Sequence, residues 1–164
     1  MVTMAPLASP DFPLYNAELV ERIRDSRAAE AGLPGYLGIR TVEIGPGRLV
    51  ATFQVKPELL NPFGSLHGGA LAALVDHVLG SVLYPVIQPG AWAATTEFKL
   101  NLLAPVREGE LTAEAVIVNM TKRTAVVQVT VTNDDRLAGL AQGTVLVMPP
   151  RESNEDAPGS TDIS

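Results

Sequence analysis

The stretch N-P-F-G-S-L-H-G-G-A-L-A-A-L-V-D-H-V-L-G, residues 61–80, holds the residue types whose spacing suits chemistry. Residues 68–84 are apolar or small almost throughout and read as one helix, yet Asp76 stands in its middle. An ionised carboxylate in a low dielectric is costly unless it is paired or hydrogen-bonded. Two readings are open: Asp76 points to solvent at the helix edge or is satisfied by a neighbouring strand, or it is held there for a reaction. At the other end, a helix that begins near Gly68 leaves the N–H groups of Gly68 and Gly69 without intrahelical partners, at the positive end of the dipole. Glycine leaves those amides unshielded, so a carbonyl oxygen can approach them as it would an oxyanion hole. Asn61, seven residues before Gly68, offers an amide to orient a water or a carbonyl. A polarised carbonyl beside a carboxylate suits acyl transfer to water.

Geometry limits how one chain can do this. Asp76 lies eight residues beyond Gly68, ~12 Å along a helix axis. Two copies with antiparallel central helices would bring Asp76 of one near Gly68 of the other, which implies an isologous dimer.

The surrounding elements must position these groups. Residues 36–44 and 48–56 carry β-type residues on either side of G-P-G, with Leu49, Ala51, Phe53 and Val55 on one face, and read as a hairpin. After the helix, four alternating segments follow at 92–103, 110–119, 123–132 and 137–148, joined by short turn-like stretches that suit antiparallel neighbours. An entirely apolar helix cannot lie on a surface, so the sheet is expected to wrap it, with Gly68, Gly69, Ala72, Ala73 and Gly80 admitting close approach. Residues 1–35 form an N-terminal extension with a helix over 16–31, capped by Asn16 and stopped by Gly32, and 149–164 read as a disordered polar tail. The expected class is α+β, an antiparallel sheet of five to six strands around one long apolar helix.

Composition narrows the function classes. The 164 residues suit one domain. The formal net charge of −6, with twelve scattered Lys and Arg, gives no footprint for nucleic acid or an anionic membrane surface. The absence of cysteine excludes disulfides, thiolate metal sites and a cysteine nucleophile. The Pro-interrupted opening M-V-T-M-A-P-L-A-S-P does not read as a secretory signal, so a cytoplasmic location is expected. The apolar run is shorter than the ~20 residues of a membrane span, holds Asp76 and His77, and is stopped by Pro85. The two histidines are ten residues apart with no ligand cluster around them, which supports no metal site. Trp92 and Phe98 read as packing residues, and the N-M-T at Asn119 carries little weight as a glycosylation site.

The order of strands around one central helix, together with the 61–80 string, resembles the hotdog-fold acyl-CoA thioesterases, particularly the phenylacetic acid degradation type, over about residues 36–148. The resemblance implies a hotdog fold, an acyl-CoA substrate, no cofactor, and a dimer that pairs again into a tetramer. It implies Asp76 as nucleophile or general base, the Gly68 amide as the group that polarises the thioester carbonyl, and Asn61 as the group that positions carbonyl or water. A hydroxyl on the strand after the helix falls at Thr95, with Thr96 adjacent, and His67 and Gly69 fall where they shape the loop or bond near the carbonyl. The apolar surroundings favour a medium-chain or aromatic acyl group. Some relatives acting on aromatic acyl groups carry Glu at the Asp76 position, and hotdog dehydratases use a His with an acidic partner, an arrangement that this chain lacks. The competing class is an acyl-CoA-binding module without catalysis, which would be expected to lack the carboxylate.

Overall fold

Six strands form one antiparallel sheet, with apolar and polar side chains alternating most clearly along the two central ones. The computed structural model of the chain describes residues 10–25 and 32–150. The strands are β1 (Arg40–Gly45), β2 (Arg48–Gln54), β3 (Trp92–Leu102), β4 (Glu110–Met120), β5 (Thr124–Asn133) and β6 (Arg136–Met148), in the spatial order β1-β2-β4-β5-β6-β3. Leu111, Ala113, Ala115 and Ile117 of β4 and Ala125, Val127, Val129 and Val131 of β5 all point to one face and are buried, as the period of two requires. The register pairs Ala51 with Ala113 and Ala113 with Val131, so small and branched side chains form a continuous floor.

The helix α3 (Gly68–Ser81) crosses that floor between β2 and the far-edge strand β3. Its buried residues are Leu71, Leu74, Val75, Val78 and Leu79, the i, i+3, i+4, i+7, i+8 stripe that a 3.6-residue period puts on one side. The sheet packs on the central helix as expected, but the close strand approach expected at Ala72, Ala73 and Gly80 is corrected here. Ala72 and Ala73 face an outer groove together with Asp76, and a Cβ on Gly80 would meet nothing within 4 Å. Glycine and alanine count as apolar but bury little area, so composition overstated how much of this helix needs covering. By length and composition Gly68–Val86 would also pass for a membrane span, yet half of it is buried inside the fold.

The close approach that glycine permits lies instead at Gly143 on β6. A Cβ there would come within 2.6 Å of the Glu97 carbonyl oxygen and 2.7 Å of the Phe98 Cβ, and within 3.1 Å of Leu79 from α3. This is where β3 shifts register, between Thr95 and Glu97, so Gly143 accommodates the bulge and the helix together. Gly143→Ala must displace backbone and is expected to cost about 1–3 kcal/mol, read as a lower denaturant midpoint in chemical unfolding.

Two boundaries differ from expectation. The first strand does not reach back to residue 36, because Leu33–Leu37 form a short helix, α2, with Pro34 in its first turn and Gly38 closing it at φ 78°. Pro near the start and Gly just past the end are the usual helix punctuation, and they override the β-type Tyr36 and Leu37. The central helix stops at Ser81 rather than 84, and Tyr84–Val86 continue as a 3-10 turn at Pro85. The N-terminal helix α1 (Ala17–Asp25) starts as expected, with Asn16 Oδ1 accepting from the Leu19 N–H at 2.9 Å. Residues 1–9, 26–31 and 151–164, including the rest of that predicted helix and most of the predicted tail, lie outside the described residues.

Candidate active site

The loop that leads into α3 is organised by its own side chains. Asn61 Oδ1 accepts from the Phe63 N–H at 2.9 Å and from the Ser65 N–H at 3.3 Å, and Asn61 Nδ2 donates to Ser65 Oγ at 3.0 Å. The Asn61 N–H donates to the Ser65 carbonyl at 2.7 Å, and Gly64 takes φ 73° at the apex. Asn61 is thus primarily the organiser of the loop. Both acceptor directions of its oxygen are used, and one Nδ2 hydrogen is left to reach a carbonyl or water.

The two glycine amides, read as equivalent from the sequence, are different. His67 caps the helix: its Nδ1 accepts from the Gly69 N–H at 2.9 Å. A neutral ring that accepts at Nδ1 carries its hydrogen on Nε2. His67 is therefore a capping residue, and Gly69 is small because a Cβ there would sit 3.0 Å from that nitrogen. Ala70 and Leu71 both donate to the His67 carbonyl, and among the described residues no acceptor takes the Gly68 N–H. Gly68 is the open donor at the positive end of α3. It lines a cavity of about 220 Å³ with Asn61, Leu66, Leu71, Leu102 and Leu103. Of its lining residues, Leu102 and Leu103 are exposed.

Asp76 lies elsewhere. It shares an open groove of about 480 Å³ with Gly69, Ala72, Ala73, Thr95 and Thr96. In the single chain Asp76 is exposed rather than buried. Thr96 Oγ1 donates to the Thr144 carbonyl at 3.0 Å, so this hydroxyl stitches the β3 bulge. Among the described residues no hydrogen bond occupies the hydroxyl of Thr95, which is half-buried beside Asp76's groove. His77 is half-buried on the flank of the helix. The expected residues therefore fall into two groups, Asn61 with Gly68 in one cavity and Gly69, Asp76, Thr95 and Thr96 in another, with no residue shared between them. Gly143 was missed at the sequence level, since a glycine inside an alternating strand is its only signal.

A chain built this way offers a polarising amide and a carboxylate for attack on a carbonyl, and comparison with known proteins gives that chemistry a family. Residues 63–139 match the model of the thioesterase superfamily. The chain is 29% identical over 122 residues to a 1,4-dihydroxy-2-naphthoyl-CoA hydrolase of Listeria monocytogenes, covering 74% of this chain and 99% of the relative. It is 31% identical over 117 residues to a Haemophilus influenzae protein whose name places it among the esterases, covering 69% of this chain and 83% of that one. The structure of the E. coli PaaI protein, from the phenylacetic acid degradation operon, superposes with a TM-score of 0.66 at 26% identity over 70% of this chain and 83% of that one. The six-stranded antiparallel sheet laid across one central helix, the motif that opens that helix and these relatives agree: the chain belongs to the thioesterase superfamily and is a hotdog-fold thioester hydrolase.

Proposed function

We propose that this chain hydrolyses the thioester of a medium-chain or aromatic acyl-CoA at a site closed between two copies of itself. The observation that carries the proposal is the separation of the two half-sites, with the open Gly68 N–H in one cavity and Asp76 in another groove. In an isologous pair with antiparallel central helices, Asp76 of one copy meets Gly68 of the other. Two features support a second copy as the occupant of this face. The groove is floored by Ala72 and Ala73, small enough for backbones to approach closely, and β3, eleven residues long, leaves one edge of the sheet unpaired.

In this reading the thioester oxygen accepts from the Gly68 N–H, and charge building on it is stabilised by the helix terminus. Asp76 takes a proton from the attacking water, or attacks the carbonyl itself and is released by water. The new C–O bond forms as the C–S bond breaks, and the proton ends on the coenzyme A sulfur. Thr95 is the hydroxyl placed to hold the water or the carboxylate, and Asn61 fixes the loop. Coenzyme A enters as part of the substrate, and no resident cofactor is needed. The aliphatic Leu66, Leu71, Leu102 and Leu103 on the cavity wall favour an apolar acyl group over a charged one. The Listeria relative, named for a bicyclic aromatic acyl-CoA, points the same way. A cytoplasmic location and a dimer of dimers complete the proposal.

The test is a hydrolysis panel across short, medium, long, aromatic and dicarboxylic acyl-CoAs with free thiol as the readout. Medium-chain and aromatic substrates are expected to show the highest kcat/KM. Tight acyl-CoA binding without thiol release would make the protein a binding module instead. Shared sites are tested by mixing Asp76→Asn with Gly68→Ala subunits after dissociation. Each heterodimer holds one intact site, so activity well above that of either parent is expected, and none with heterodimers demonstrated would put the whole site in one chain.

A further inference from the structure

Leu102, the last residue of β3, stands on the sheet face that meets α3, yet the fold leaves it largely uncovered. Its register partner on β6 is Gly139, which has no side chain to brace it. A Cβ on Gly139 would meet Leu71 Cδ2 at 3.4 Å and Leu100 Cδ1 at 3.5 Å, so the space over that glycine is taken by the neighbours of Leu102. Leu102 instead reaches over the start of α3, where its Cδ1 lies 3.0 Å from the position that a Cβ on Gly68 would occupy. It is 60 % exposed in the single chain, against 4 % for Leu71 and 8 % for Leu66 on the same cavity. The cavity that holds the Gly68 amide thus has two fixed leucines and one loosely held leucine beside the amide itself.

The distance to the amide follows from covalent geometry. The nitrogen and Cβ of one residue are about 2.5 Å apart, so Leu102 Cδ1 lies within about 5.5 Å of the Gly68 nitrogen. A carbonyl oxygen that accepts from this N–H sits about 2.9 Å from the nitrogen, which brings the carbons attached to that carbonyl within contact range of the leucine methyl groups. The polar side chains on the cavity wall are Asn61 and Ser65, and they bond to each other at 3.0 Å. A hydroxyl on the acyl group, close to the carbonyl, therefore meets hydrocarbon at Leu102.

We propose that Leu102 is a specificity-determining residue of this hydrolase: it folds onto the second and third carbons of the acyl group whose carbonyl sits on the Gly68 N–H, and selects acyl-CoAs that are apolar at those carbons over acyl-CoAs hydroxylated there. An exposed leucine that packs on an acyl chain removes apolar surface from water on both partners. A hydroxyl at the third carbon would lose its water against a side chain that offers no hydrogen bond. Loose bracing suits this role, because the side chain can follow a straight alkyl chain or a flat aromatic group. The inference rests on the reading that the substrate carbonyl meets the Gly68 amide.

The test compares kcat/KM for octanoyl-CoA and 3-hydroxyoctanoyl-CoA on the full chain, with free thiol as the readout. An apolar pocket discriminates against an added hydroxyl by up to about 10², and a preference for octanoyl-CoA of about tenfold or more is expected. Leu102→Asn, close to leucine in shape but polar, is expected to reduce that preference about tenfold, whereas Leu102→Met, flexible and apolar, is expected to keep it. The position is exposed, so the melting temperature and oligomeric state of both variants are expected to match wild type and report that they fold. A wild-type protein that does not distinguish the two substrates overturns the inference and leaves thioester hydrolysis standing. A Leu102→Asn protein with the wild-type ratio, or a Leu102→Met protein that loses as much preference as Leu102→Asn, does the same. Absence of thiol release from any acyl-CoA, or full activity in Gly68→Ala, overturns the reading of the site and this inference with it.

Discussion

Asp76→Asn is expected to lower kcat by about 10² or more, while the melting temperature and oligomeric state stay at wild-type values. The structure sharpens both halves of this expectation. Among the described residues no hydrogen bond or ion pair holds the Asp76 carboxylate, and the side chain is exposed in the single chain, so the amide removes no folding contact. Asparagine keeps the shape and the hydrogen-bonding reach but cannot accept a proton from water or form an acyl intermediate. Steady-state thiol release on the best acyl-CoA of the panel checks it, with KM expected to change little. Near wild-type turnover would remove Asp76 from the chemistry. A collapse of stability together with activity would make it a structural acid of the interface.

Gly68→Ala is expected to separate activity from stability. The Gly68 φ lies outside the left-handed region, so alanine fits the backbone. Its Cβ would approach Leu102 Cδ1 to 3.0 Å, but that leucine is 60 % exposed and free to swing aside. Helix propensity then improves by up to ~1 kcal/mol. The same methyl group intrudes on the cavity where the Gly68 N–H is the open donor. Losing one oxyanion donor costs about 10²–10³ in kcat, and a loss of kcat/KM of that order is expected with equal or higher thermal stability. Gly69→Ala is the control on the neighbouring residue. Its methyl group presses on the His67 cap rather than on an open amide, so its effect is expected first in stability. Full activity in a stable Gly68→Ala protein would show that no substrate carbonyl rests on this amide.

The sequence by itself determined the elements and the family. Alternation is a property of neighbours along the chain, so the later strands end within a residue or so of their expected bounds, and the 3.6-residue period of α3 shows in the same way. The Asn61, His67-Gly68-Gly69 and Asp76 string carried the hotdog resemblance because its parts lie close together in the chain. Tertiary structure decided what each face and each polar atom meets. Periodicity groups Gly69, Ala72, Ala73 and Asp76 on one side of a helix but does not say whether that side faces sheet or solvent, and only the path of β3 places Thr95 across from it. The Asn61 and His67 side chains bond to backbone two to four residues away, and such bonds exist only once the loop has taken its path. For that reason Asn61 becomes a loop organiser, Gly69 is capped and Gly68 alone is open. Gly143 is further still from the sequence, because its close packing arises where β6, the β3 bulge and α3, distant along the chain, are brought within contact by a shared core.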